Sequence, residues 1–179
     1  MVEETKKVLL VPGYTGSGPK HWQSLWQEKH PEYYRVEQRD WNHPDLQEWV
    51  DTLDGNLSAI TGPIVLVGHS LGCITIAHWV SRYQRPVYAA LLVAPADVER
   101  PDALPALRGF GPIPLNPFHF PCIVVASNDD PYIQPERAAF FSRQWGGRLI
   151  NIGRGGHIDT AAGFGPWRQG EVLLQQLLR

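Results

Sequence analysis

Five residues carry the main chemical signal: Gly68-His69-Ser70-Leu71-Gly72, a G-x-S-x-G pattern. It follows the apolar run Ile64-Val-Leu-Val67 and opens a helical pattern marked by Ile74, Ala77, His78 and Val80. That strand–turn–helix setting gives the pattern its meaning. In so tight a turn, side chains two residues before and after the serine would meet neighbouring backbone, which explains Gly68 and Gly72. The turn lifts the hydroxyl above a sheet. It also aims free N–H groups and the positive end of the helix dipole at negative charge developing on a nearby oxygen. The chemistry implied is attack by Ser70 on a carbonyl carbon, with the Leu71 N–H as one oxyanion donor. The second donor is expected from the loop after the first strand, Val11-Pro-Gly-Tyr-Thr-Gly-Ser-Gly18. There Gly13 allows close backbone approach, and the Tyr14 N–H is the candidate. The same loop is no phosphate cradle. Gly18 is followed by Pro19-Lys20 rather than by G-K-[ST], and glycines at 13, 16 and 18 do not fit G-x-G-x-x-G.

A serine hydroxyl is a weak nucleophile without a base. Of the seven histidines, His157 is placed best, in Gly153-Arg-Gly-Gly-His157 after the last strand. His69 lies within the turn and is expected to point elsewhere, and His78 reads as structural. His21, His30, His43 and His119 fall on loops or helix ends. An acid is needed to orient the imidazole. Ser127-Asn-Asp129-Asp130-Pro131 offers two, and Asp159 reads as a helix cap or surface acid. Trp22, Trp41 and His43 are candidate walls of a substrate pocket; the competing reading has the tryptophans, Trp167 included, sealing helix–sheet contacts. Phe110, Phe118 and Phe120 form either a small lid or core.

These groups must be positioned by a frame. Continuous apolar runs at Val8–Val11, Ile64–Val67, Ala89–Val93, Cys122–Ala126 and 148–152, with a weaker one at 34–38, read as parallel strands buried on both faces. Helical patterns over His21–Lys29, Asp45–Ile60, Leu71–Tyr83, Gln134–Gln144 and Gly165–Leu178 alternate with them. Pro135 fits a first helical turn and Gly146-Gly147 a helix end. The alternation predicts an α/β three-layer sandwich with a parallel sheet of about six strands in the order 2-1-3-4-5-6. A ligand site is then expected beyond the carboxyl ends of the strands, where the order switches between the first and third. The proline-rich segment 97–121 breaks the rhythm, and a loop of that length is expected to shape a site.

At 179 residues the chain is expected to form one domain, 1–179, with a core that needs no disulfide or metal staple. A hydrophobic share of 43% against 19% charged argues against disorder. With a net charge of −2 and scattered Lys and Arg, no nucleic-acid or anionic-membrane surface is indicated. The absence of a signal peptide or a long apolar run predicts a soluble cytoplasmic protein. Cys73 and Cys122 are expected at opposite strand ends, unpaired, and neither sits in a zinc-type spacing. The 7 Trp and 16 Pro suit a rigid, loop-rich protein with an aromatic-lined site.

The chain resembles the compact α/β-hydrolase-fold serine hydrolases that include the bacterial YdeN-like proteins and the animal retinoblastoma-binding serine hydrolase. The resemblance rests on Pro12-Gly13 with Ser17 and His21-Trp22-Gln23, Asp40-Trp41-Asn-His-Pro44, Gly68-His-Ser-Leu-Gly72, Ala126-Ser-Asn-Asp-Asp-Pro131 and Gly156-His157. It implies a minimal fold without a large cap domain and a Ser70–His157–Asp130 triad. Asp130 is preferred to Asp129 because Asp130-Pro-Tyr-Ile-Gln-Pro135 resembles the usual acid loop of such hydrolases. The L-x-C-x-E motif tied to retinoblastoma binding is absent, since Cys73 is followed by Ile74-Thr75, so no such partner is expected. The expected activity is cleavage of small carboxylic esters through an acyl-enzyme, with no metal or organic cofactor. The rivals are a binding or regulatory protein with a vestigial triad, and an amidase, acyltransferase or lyase using the same residues.

Overall fold

The computed structural model describes residues 4–179. One six-stranded, all-parallel sheet runs through it: β1 (Lys7–Val11), β2 (Tyr34–Arg35), β3 (Ile64–His69), β4 (Ala89–Val93), β5 (Cys122–Ala126) and β6 (Arg148–Asn151). The spatial order is β2-β1-β3-β4-β5-β6, as the alternation of runs predicted. The helices are α1 (Trp22–Lys29), α2 (Leu46–Ala59), α3 (Leu71–Arg82), α4 (Pro135–Trp145) and α5 (Arg168–Leu178).

Alternation along each strand divides the core in two. Leu9, Val11, Leu66, Leu92 and Val124 face one layer, which Trp49, Leu53, Ile76, Phe141 and Trp145 of α2, α3 and α4 complete. Val8, Leu10, Val67, Leu91 and Val125 face the other, closed by Trp22 and Trp26 of α1 with Leu173 and Leu174 of α5. The central strands are buried on both sides, which is why their sequences read as unbroken apolar runs. The outer strands are weaker. β2 pairs through two residues where five were expected, with one further bond from the Val36 N–H to the Leu10 carbonyl at 2.9 Å; β6 is largely exposed.

The local signals act as expected. Asp45 accepts from the Glu48 N–H to cap α2, Pro135 opens α4, and Gly146 closes it at φ 75°. The segment after β4 contains a 3-10 turn over Pro105–Phe110. Phe110 and Phe118 are buried in the core and Phe120 packs against it, so these rings anchor the segment and form no lid. His78 donates to the Phe110 carbonyl at 2.7 Å, tying the segment to α3. Cys73 and Cys122 are free thiols. No helix among the described residues is long and apolar enough to cross a membrane.

Candidate active site

Ser70 sits between β3 and α3 at φ 55°, ψ −121°, a conformation that non-glycine residues occupy only under constraint. Two things hold it there. Its N–H donates to the Val93 carbonyl at 3.0 Å, binding the turn to the end of β4. The neighbouring backbone leaves no alternative, since a Cβ on Gly72 would stand 2.1 Å from the Val11 carbonyl oxygen. One on Gly13 would stand 2.8 Å from the His69 carbonyl oxygen and 3.0 Å from the Leu71 nitrogen. Both glycines are therefore required by the packing of the β1 loop against the turn. Gly13 packs directly against Ser70, Tyr14 borders the same cleft, and the Leu71 N–H, in the first turn of α3, lies outside the helical ladder.

The Ser70 hydroxyl lies 2.8 Å from His157 Nε2. His157 Nδ1 stands 2.9 and 3.0 Å from the two oxygens of Asp130. These partners fix the tautomer: Nδ1–H donates to the carboxylate, and Nε2 is left to accept from the serine. Asp130 and His157 are both buried, whereas Ser70 is open to the cleft above it. The three side chains come from the ends of β3, β5 and β6, brought together at the carboxyl edge of one sheet.

The loop carrying His157 has its own restraints. Asp129 Oδ1 accepts from the N–H groups of Gly155 and Gly156 at 2.9 and 2.8 Å. Those bonds, with the Arg154 charge, hold its carboxyl below the usual carboxylate range. Ser127 Oγ donates to the Gly156 carbonyl. His69, expected to point elsewhere, turns its Nε2–H to the His157 carbonyl at 2.9 Å. Burial, with His21 and His157 nearby, keeps His69 uncharged well below its ordinary range. The Tyr132 ring stands edge-on to His157 at 4.5 Å. Burial raises the Cys73 thiol far above its normal range, so it offers no competing nucleophile.

The cleft over Ser70 holds about 390 Å³. Its lining combines apolar surface from Ala96, Leu104 and Leu107 with the tyrosines Tyr14 and Tyr132 and with polar groups of Thr15, Ser17, His21, Asp159 and Thr160. The proline-rich segment thus contributes through two leucines. None of the aromatic candidates borders the cleft. Trp22 is fully buried and donates to the Ile158 carbonyl, Trp41 stacks over Gly16 from behind the loop, and His43 is exposed beside Asp40. The tryptophans serve packing because that is where most of their area can be buried. No cluster of three or more metal-ligating side chains occurs among the described residues.

A parallel sheet in this order, with a serine on the turn after β3, is the α/β-hydrolase fold. The serine hydrolase family matches residues 8–176, and the chain belongs to it. It is similar to a YdeN-like hydrolase of Pectobacterium atrosepticum, with a TM-score of 0.88 and 34% identity over 97% of this chain and 91% of that one. The YdeN protein of Bacillus subtilis (strain 168), described as a hydrolase, is 25% identical over 89% of this chain and 90% of its own. A thermophilic esterase from Thermogutta terrifontis shares the fold, with a TM-score of 0.70 at 18% identity over 99% of this chain and 93% of its own.

Proposed function

We propose that this enzyme hydrolyses small carboxylic esters with Ser70 as nucleophile, His157 as base and Asp130 as the orienting acid. The observation that carries the reading is the 2.8 Å contact between the Ser70 hydroxyl and His157 Nε2 on a constrained turn. In the first half-reaction the Ser70 oxygen bonds to the carbonyl carbon as its proton passes to His157 Nε2. Asp130 then faces an imidazolium and stabilises it. The carbonyl oxygen becomes an oxyanion received by the N–H groups of Leu71 and Tyr14. Collapse expels the alcohol, which takes the proton from His157 and leaves Ser70 acylated. Water, deprotonated by the same imidazole, releases the acid and restores the hydroxyl. A cleft of about 390 Å³ suits a substrate of modest size. The likeness to an esterase of the same fold supports ester over amide chemistry.

The test pairs labelling by a fluorophosphonate probe with hydrolysis of short p-nitrophenyl esters. The wild type should label and turn over, and Ser70→Ala should do neither. Equal labelling of Ser70→Ala overturns the assignment. Wild-type protein that labels with nothing and cleaves neither esters nor amides replaces the enzyme reading of this site with a binding one.

A further inference from the structure

The backbone that carries His157 does not take its shape unaided. Gly156 and Ile158, on either side of it, both have positive φ, 51° and 50°. Glycine enters that region freely, but a β-branched isoleucine does so only under strain. Such a conformation persists where the surroundings over-determine it. Here three successive carbonyls each accept from a side chain of a different part of the fold. The Gly156 carbonyl receives the hydroxyl of Ser127, just beyond β5. The His157 carbonyl receives His69 Nε2–H at 2.9 Å, from the last residue of β3. The Ile158 carbonyl receives the indole N–H of Trp22 at 2.8 Å, from the first residue of α1. Ser127, His69 and Trp22 are all buried.

His69 differs from the other two donors. It immediately precedes Ser70, inside the turn whose shape Gly13 and Gly72 enforce. Its bond therefore ties the backbone of the nucleophile to the backbone of the base, 88 residues further along the chain. The 2.8 Å contact between Ser70 Oγ and His157 Nε2 closes a ring whose other side is that bond. Ser127 and Trp22 fix the loop against the scaffold, whereas His69 fixes the base against the nucleophile. The His69 ring is itself held, with His21 at 4.6 Å and Trp22 at 5.8 Å between centroids. Donation to a carbonyl places its proton on Nε2. Burial keeps it uncharged, so at 4.9 Å from the His157 ring it adds no positive charge beside the imidazolium that forms during turnover. Without the donor, the His157 carbonyl would be left buried and unpaired, and the loop would shift to satisfy it.

We infer that His69 is a positioning residue for the hydrolysis, setting the reach of His157 Nε2 to the Ser70 hydroxyl through its bond to the His157 carbonyl. This rests on the hydrolase reading above and deepens it. Three variants isolate the donor. His69→Phe keeps a ring and removes the N–H. His69→Gln places an amide N–H at the position of Nε2, and His69→Asn carries one that stops a bond short. The substrate is p-nitrophenyl acetate, with active sites counted by fluorophosphonate labelling carried to completion. In His69→Phe and His69→Asn, kcat per labelled site should fall about 10- to 100-fold, the scale of a misplacement near 1 Å, with KM changed less than about twofold. The rate constant for labelling should fall by the same factor, since it too needs the activated hydroxyl. His69→Gln should stay within about fivefold of wild type on both measures. A purely structural role would lower the urea midpoint and leave kcat per labelled site unchanged, and that result overturns the inference. Equal losses in His69→Gln and His69→Asn overturn it as well, because the ring rather than the donor would then matter. If His69→Phe gives no folded protein, the contrast between His69→Gln and His69→Asn decides. A wild type that labels and turns over beside an equally active His69→Phe defeats the positioning role alone. A wild type that does neither defeats the hydrolase reading and this inference with it.

Discussion

Asp129 and Asp130 are neighbours in the chain, yet their carboxylates bond different parts of the same loop. Asp130 meets the imidazole of His157 through both oxygens and also accepts from the Tyr132 N–H at 2.8 Å. Asp129 meets the backbone ahead of that histidine and the Arg154 side chain, and no atom of the imidazole. The two substitutions should therefore separate. Asp130→Asn puts a carboxamide where a charge stabilises the imidazolium and favours the wrong tautomer. It should lower kcat by about 10⁴ with KM little changed. Asp129→Asn loses charge from two loop hydrogen bonds and should lower kcat by less than about tenfold. Ester-hydrolysis kinetics on both variants check this; equal losses would mean that the acid assignment is wrong. The sequence left this choice between two adjacent acids. Only the resemblance of Asp130-Pro-Tyr-Ile-Gln-Pro135 to the acid loop of such hydrolases favoured Asp130, and the side-chain direction that separates the two depends on how β5 and β6 end.

At the scale of elements, the turn around Ser70 is held by steric demand from β1, and two glycine substitutions measure it. A methyl on Gly72 would sit 2.1 Å from backbone of β1 that cannot move without breaking its pairing with β3. Gly72→Ala should destabilise by more than about 4 kcal/mol or abolish folding. Gly146→Ala, at φ 75° with open space around the Cβ position, should cost only the left-handed strain of about 1–2 kcal/mol. Urea denaturation of the two proteins compares them, and a Gly72→Ala protein as stable as Gly146→Ala would show that the turn can relax. The same elements show what was readable in advance. β1, β3, β4 and β5 declare themselves because burial on both faces demands unbroken apolar runs. The G-x-S-x-G turn declares itself because its glycines answer a geometric need. The polar lining of the cleft was not legible. His21 looks like one loop histidine among several, and Asp159 like a surface acid. Both border the cleft from segments far apart in the chain, which the Trp22–Ile158 bond, between residues 136 apart, helps to join. The tryptophans stayed undecided for the converse reason: a large ring serves a site and a core equally well in a sequence, and here Trp22 is fully buried and neither Trp22 nor Trp41 borders the cleft.

Across the whole molecule, His21, His69 and His78 are buried and held uncharged, in each case chiefly by the cost of taking a charge out of water. In the unfolded chain each would titrate near 6.5. Below that pH the unfolded state binds protons that the folded state refuses, so acid favours unfolding. The stability these rings confer is thus complete above about pH 6.5 and is lost as the pH falls from there toward the folded values. For His21, with a folded value of about 4, the loss across that window is about 2–3 kcal/mol. Asp54, whose carboxyl is lowered mainly by its bond to Arg85, acts in the same direction but in a lower window, as the pH passes below 3.8. Urea midpoints taken at pH 7.5, 6 and 4.5 should fall progressively, and His21→Gln should flatten the profile. The loss belongs to groups packed around the cleft and in α3, so within each urea titration activity should disappear with the cooperative unfolding transition rather than ahead of it. A midpoint unchanged between pH 7.5 and 4.5 would mean that the folded protein accepts those protons, and that its buried rings are not kept neutral.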